Sequence, residues 1–118
     1  MRRVSLSELP LVPVSHNPDI AKRVMLDSRA APGLTNFSQA VFSTGQVASG
    51  HVHENMYEVF FVRRGRGVIL VDGAEHPLST DECVVIGPGE HHEISNPYPE
   101  ELVLLYFGLA SGDEELQR

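Results

Sequence analysis

The chain has one cysteine, few positive charges and no long apolar run, and each shortage removes a class of protein. Cys83 has no second thiol to pair with, so no intramolecular disulfide supports the fold and a reducing cytoplasm is the expected location. Nine basic residues stand against 16 acidic ones, a net charge of −7. A surface of that sign repels phosphate, so neither nucleic acid nor an anionic membrane is an expected partner. No stretch approaches the ~18 consecutive apolar residues of a membrane span. Behind Arg2 and Arg3, Pro10 and Pro13 interrupt the apolar stretch before a signal-peptide core forms. No Ser-His-Asp or Cys-His pairing is evident. Cys83 lies in the apolar run Cys83-Val84-Val85-Ile86, where it is expected to be a small buried side chain, so covalent catalysis is not supported. There is no internal repeat and no low-complexity linker.

What the chain does have is punctuation. Its 118 residues, 42% of them hydrophobic, suffice for one core, and 10 glycines with 8 prolines cut them into short segments. A single domain over residues 1–118 is expected, with a barrel core at about 22–108, an N-terminal arm at 1–21 and a C-terminal tail at 109–118. Within the arm, Ser5 followed by Glu8 is a weak capping pattern for a short helix. The polar, acidic segment Ser111–Arg118 reads as a frayed tail or short terminal helix. Between them, some eight or nine short strands alternate with turn signals, among which Asp72-Gly73 is a strong hairpin turn. Nothing alternates with helices, so the expected class is all-β, a sandwich or small jelly-roll barrel.

Chemistry-bearing residues concentrate in the middle of the chain. Five of the six histidines, His51, His53, His76, His91 and His92, fall between positions 51 and 92, together with Glu54 and Glu58. Side chains two apart on a strand share a face, so His51 and His53 project together and can hold one ion. After the polar step Glu54-Asn55, Glu58, Phe60 and Val62 are expected to point inward, with Tyr57, Val59 and Phe61 outward. A carboxylate among Phe and Val is costly unless paired or metal-bound. Glu54, one residue after His53, faces the other way. The loop Gly87-Pro88-Gly89 delivers His91 and His92, only one of which can face inward.

Taken together these residues resemble the cupin family. Gly45, five residues, His51, one residue, His53, four residues, Glu58, six residues and Gly65 reproduce the family's first motif without a gap, and Gly89, His92 and Asn96 match its second. Asp81 departs from the family's usual glycine, and Gly87 from its proline, with Pro88 beside it; both are turn positions. The resemblance spans roughly residues 37–107. It implies a double-stranded β-helix, selects His92 over His91, and gives a metal set of His51, His53, Glu58 and His92. It also implies a homodimer. His91, His76 and His16 are then expected at the surface.

Three neutral imidazoles and one carboxylate give a divalent ion a net +1 site suited to Fe, Mn, Ni, Co, Cu or Zn rather than Ca or Mg. Such an ion acts on a small organic substrate as a Lewis acid or, if redox-active, by passing electrons to dioxygen. Glu58 is the candidate catalytic group, able to loosen from the ion and take a proton. Gln39, Phe60 and Tyr106 are the candidate ligand-binding residues, with Phe37 a further candidate wall. The expected function is a mononuclear metal-dependent enzyme of oxygenase type. A non-catalytic metal- or ligand-binding module and a sugar isomerase or epimerase are the alternatives, because members of this family also include decarboxylases, lyases and storage proteins.

Overall fold

The computed structural model describes residues 1–111; the tail or terminal helix expected beyond Ser111 lies outside them. A three-residue 3₁₀ turn, Leu6–Glu8, occupies the position of the expected N-terminal helix, without a side-chain cap from Ser5. Ten strands follow: β1 Val12–Val14, β2 Asn17–Asp27, β3 Leu34–Phe42, β4 Val47–His51, β5 Met56–Arg64, β6 Gly67–Val71, β7 Ala74–Leu78, β8 Cys83–Ile86, β9 His92–Ser95 and β10 Leu102–Ala110. They form a six-stranded sheet in the order β1-β2-β3-β10-β5-β8 and a four-stranded sheet in the order β4-β9-β6-β7. Every pairing is antiparallel. This is the expected all-β jelly roll. Among the described residues no helix is long and apolar enough to cross a membrane.

The expected arm is only partly an arm. β1 lies within it and β2 begins at Asn17 rather than Lys22, so the N-terminal hairpin extends the larger sheet. Its turn is clasped to the other sheet by Asn17 Nδ2 donating to the Val47 carbonyl and Gln46 Nε2 donating to the Asp19 carbonyl, both at 2.9 Å.

Strand alternation sets what lies between the sheets. Ser38, Ala40 and Phe42 of β3, Glu58, Phe60 and Val62 of β5, and Ile94 of β9 are buried, as period-two patterning requires. With Ile20, Ile69, Leu78, Ile86, Leu102 and Leu104 the apolar members form one core. The β6–β7 hairpin turns on Asp72 and Gly73, both at positive φ (47° and 86°), the geometry of a two-residue turn matched to strand twist. Asp81, where the resemblance leads one to expect glycine, also adopts positive φ (72°); aspartate is one of the few residues that tolerates this.

Cys83 is exposed, contrary to the expectation of a buried thiol. The apolar run around it is the edge strand β8, in which Cys83 and Val85 face out and only Ile86 is buried. Four consecutive apolar residues at a sheet edge do not imply burial on both faces.

Candidate metal centre

At one end of the barrel, three strands and a loop bring His51, His53, Glu58 and His92 together. Their ligand atoms all lie within 4.8 Å of one another. The Glu58 Oε1 atom is 3.0 Å from His92 Nε2, 3.4 Å from His53 Nε2 and 3.8 Å from His51 Nε2. Each position has a local cause. His51 ends β4 and pairs directly with His92 of β9, after the ladder shifts register between Ala48 and His51. Gly50 permits that shift beside His91: a Cβ at Gly50 would stand 2.3 Å from the His91 Cε1 atom. His53 follows the strand end and is fixed through its carbonyl, which accepts from the Gly89 amide at 2.7 Å. Glu58 points inward on β5 in phase with Phe60 and Val62.

The imidazole orientations leave their Nε2 atoms for a cation. His51 Nδ1 lies 3.0 Å from the Ser49 carbonyl and His92 Nδ1 lies 3.3 Å from the Glu90 carbonyl. A carbonyl only accepts, so in the tautomer that uses these contacts each Nδ1 carries the proton and each Nε2 turns its lone pair towards the Glu58 carboxylate, free for a cation. Acceptors facing acceptors at 3.0 Å in a buried site repel unless a proton or a metal ion lies between them. An ion at about 2.0–2.2 Å from each donor places neighbouring donors about 3 Å apart and opposite ones about 4 Å apart; the three distances to Glu58, 3.0, 3.4 and 3.8 Å, fall in that range, while the full spread of up to 4.8 Å requires the side chains to draw in slightly around an ion. The site therefore fits a single divalent transition ion.

Charge in the cluster is tightly coupled. Burial alone would raise the Glu58 pKa, but the hydrogen bonds that the carboxylate accepts from His51 and His92 when their Nε2 atoms carry protons outweigh that and hold it at about 2. Glu58 in turn raises His51 against the opposing effect of burial. Burial lowers His53.

A cavity of about 260 Å³ opens beside the cluster. Phe60 and Tyr106 wall it, their rings stacked at 5.6 Å between centroids, with Phe60 also 6.0 Å from His92. Burial pushes the Tyr106 phenol up to about 12, with Ser38 opposing and Glu58 reinforcing, so this wall presents a neutral hydroxyl. Gln39 is not there. The inward residues of β3 are Ser38, Ala40 and Phe42, so Gln39 lies on the outer face, where its Oε1 accepts from Arg63 Nη1 at 2.5 Å. Phe37 shares that outer phase and packs edge-on to Phe107. Glu54, His76 and His91 are exposed.

His16 is exposed, as expected, but it is not remote from the site. It sits in the β1–β2 turn, which folds over the cavity mouth, and stacks on His51 with centroids 3.8 Å apart and planes 12° from parallel. Burial, and then the neighbouring His51, lower its pKa. Only the closure of the hairpin over the barrel brings these rings together, and no spacing near His16 announces it.

Gly108 keeps the cavity wall open. It lies between Asn36 and Glu58 in the strand register. A Cβ there would approach Thr35 Oγ1 to 2.1 Å and Met56 Cε to 2.7 Å, both cavity-lining residues. Gly108→Ala is expected to cost about 1–3 kcal/mol as an overpacked wall, read by denaturant titration, while metal stoichiometry stays unchanged because no ligand lies on β10. A variant as stable as the parent would show that Thr35 and Met56 yield freely.

The comparisons with known proteins agree with this architecture. A family model described as a cupin domain matches residues 39–108. No curated protein matches. Solved structures with the same fold include a predicted oxalate decarboxylase from Thermotoga maritima (21% identity, TM-score 0.85, covering 92% of this chain and 99% of that one). A sugar phosphate isomerase from Silicibacter pomeroyi is similar at 17% identity and TM-score 0.78, covering 92% and 75%. A cupin 2 conserved barrel domain protein from Salinispora arenicola is similar at 17% identity and TM-score 0.71, covering 100% and 97%.

Proposed function

The chain belongs to the cupin domain family, and from that premise we propose that it is a mononuclear metal-dependent enzyme of oxygenase type acting on a small organic molecule. The observation that carries the reading is the convergence of three imidazole nitrogens on one carboxylate oxygen at the wall of a cavity. His51, His53, Glu58 and His92 would hold the ion. When bound, it supplies Lewis acidity and, if redox-active, electrons for dioxygen.

The chain's own residues do the rest. Phe60 and Tyr106 form a largely apolar wall that orients a partly hydrophobic substrate and excludes bulk water. The Tyr106 hydroxyl, kept protonated by burial, donates a hydrogen bond to a substrate oxygen. Glu58 supplies the negative charge that balances the ion, and its low pKa makes it a stronger partner to a cation than to a proton. His16, stacked at the mouth, narrows the entry.

Reconstitution with Fe, Mn, Ni, Co, Cu and Zn, followed by metal analysis and oxygen-uptake assays on candidate enols, diketones and thiols, tests the proposal. One ion per chain and substrate-dependent oxygen consumption are expected; protein that takes up none of these ions removes the reading. A second reading, a dioxygen-independent isomerase, draws on the neutral Tyr106 phenol as a proton donor and on the likeness to a protein named as a sugar phosphate isomerase. Turnover that is unchanged without air would favour it.

A further inference from the structure

The chain contains a single lysine, Lys22, and it lines the metal cavity. β2 places it there. Lys22 pairs with Ala40, which is 1% exposed and itself lines the cavity, and it follows the fully buried Ile20 by two residues, so it shares their inward face. Apart from Arg3, which is exposed in the N-terminal segment, the other basic residues among the described ones have partners: Arg2 and Arg29 pair with Asp27, Arg64 with Glu101 and Arg66 with Glu100. Arg23 donates to the Leu9 carbonyl and Arg63 to Gln39. Lys22 makes no ion pair and no side-chain hydrogen bond among the described residues. Among the described residues, the one acid that lines the cavity, Glu58, faces three imidazoles.

The Lys22 side chain is half-buried on the inward face beside Ala40, and a cation in an apolar-walled cavity gives up hydration without a compensating partner in the free protein. That loss is recovered if the partner arrives with the ligand. We propose that Lys22 binds a carboxylate of the substrate, so that the cavity selects a small organic acid with one end at the metal ligands and an anionic group at Lys22. The inference rests on the proposed reading of the same site. Asn36, also in the lining, adds a neutral donor. Its Oδ1 is taken by the Ser38 hydroxyl at 2.8 Å, while its Nδ2 has only a 3.3 Å contact with Thr35 Oγ1, which leaves amide donor capacity for an anion.

A carboxylate suits this wall better than a phosphate. Among the described residues no arginine lines the cavity, and no helix end points at it, since the one helical element there is the three-residue turn Leu6–Glu8. The forked guanidinium and backbone-amide cradles that usually hold phosphate are therefore missing. A single compact ammonium with one amide donor matches two oxygens and one negative charge.

The test is calorimetric. Unbranched dicarboxylates from malonate to adipate, each against its monoamide, are titrated into zinc-reconstituted wild-type protein, K22M and K22R, with circular dichroism confirming that the variants fold. At least one diacid is expected to bind wild type about tenfold or more tightly than its monoamide. K22M, which keeps the apolar stem, should erase that preference, and K22R should keep it to within about threefold. The proposal is overturned if no diacid is preferred, if the preference survives in K22M, or if glycerol 3-phosphate binds more tightly than every diacid. Protein that takes up no zinc removes the metal reading but not this one: the same titrations on metal-free protein then decide Lys22 by the same criteria.

Discussion

Glu58→Gln is expected to weaken binding of a divalent ion by more than about 100-fold while leaving the metal-free protein at least as stable as the parent at pH 8. The first half follows from charge. Three neutral imidazoles alone give the ion no counter-charge, and an amide oxygen is a poorer donor than a carboxylate; loss of partners that merely orient ligands already costs about 10–100-fold. The second half follows from the lone pairs that face one another. With Nδ1 of His51 and His92 committed to the Ser49 and Glu90 carbonyls, a metal-free carboxylate 3.0 Å from His92 Nε2 confronts an acceptor. A glutamine amide there can donate instead.

Acid reverses the comparison. Once the imidazoles are protonated, the carboxylate becomes their ion-pair partner. His51 has a raised pKa, so the stability from its pairing with Glu58 is fully present below 6.5 and is lost as pH rises through the raised value. Glu58 has a depressed pKa, so its contribution is present above 4.5 and is lost as pH falls towards about 2. Wild type should therefore melt above Glu58→Gln between about pH 4.5 and 6.5, the advantage fading below as pH falls towards about 2 and above as it rises through the raised His51 value. Competition with a chromophoric chelator measures the affinity, and melting curves from pH 2 to 8 in the presence of chelator measure the rest. A wild-type advantage that persists at pH 8 without metal would contradict the lone-pair argument.

Three residues of the cluster were legible because two periodicities coincide in them, while His92 was chosen over His91 through the family resemblance. Strand alternation puts Glu58, Phe60 and Val62 on one face, and the one-residue gap between His51 and His53 keeps both rings on a common side even though His53 lies just past the strand end. Both are local, so sequence carries them. Gln39 shows where alternation fails. In Phe37-Ser38-Gln39-Ala40-Val41-Phe42 the apolar residues occupy both phases, and only the pairing of Ser38 with Tyr106 and of Ala40 with Leu104 fixes which phase is inward. Cys83 was misread because nothing in its run shows that β8 is a sheet edge. His16 and Lys22 needed the N-terminal hairpin to close over the barrel, an event fixed by contacts such as Asn17 with Val47 across 30 positions. Sequence thus carried the ligands, while the cavity's mouth and cationic wall came from tertiary closure.

Asn96→Leu is expected to be the most damaging single change outside the ligand set. Asn96 is fully buried, just past the end of β9, and every polar atom of its side chain is committed. Its Nδ2 donates to the Phe42 and Glu100 carbonyls, and its Oδ1 accepts from the Tyr98 amide, each at 2.9 Å. Its backbone amide donates to the Gln46 carbonyl at 3.0 Å and its carbonyl accepts from Gly45 at 2.6 Å. One side chain thus joins the end of β3 and the turn that leads into β10. Leucine nearly matches the volume but leaves the buried Phe42 carbonyl and the part-buried Glu100 carbonyl and Tyr98 amide without these partners, at about 1–1.5 kcal/mol each. A loss of roughly 3–4 kcal/mol is a large part of the ~5–15 kcal/mol that holds such a domain together, and it should lower the melting temperature by roughly 10–15 °C. Asn96→Asp discriminates between shape and hydrogen bonding. It keeps the acceptor for Tyr98 but turns a carboxylate towards two carbonyls, and it should cost at least as much as leucine in a scan at pH 7. An aspartate variant as stable as the parent would mean that water reaches this junction and that the three bonds contribute little. His92 lies four residues earlier, at the start of β9, so residual folded Asn96→Leu protein should still bind metal with near-parental affinity, which separates the anchoring of β9 from the chemistry it carries.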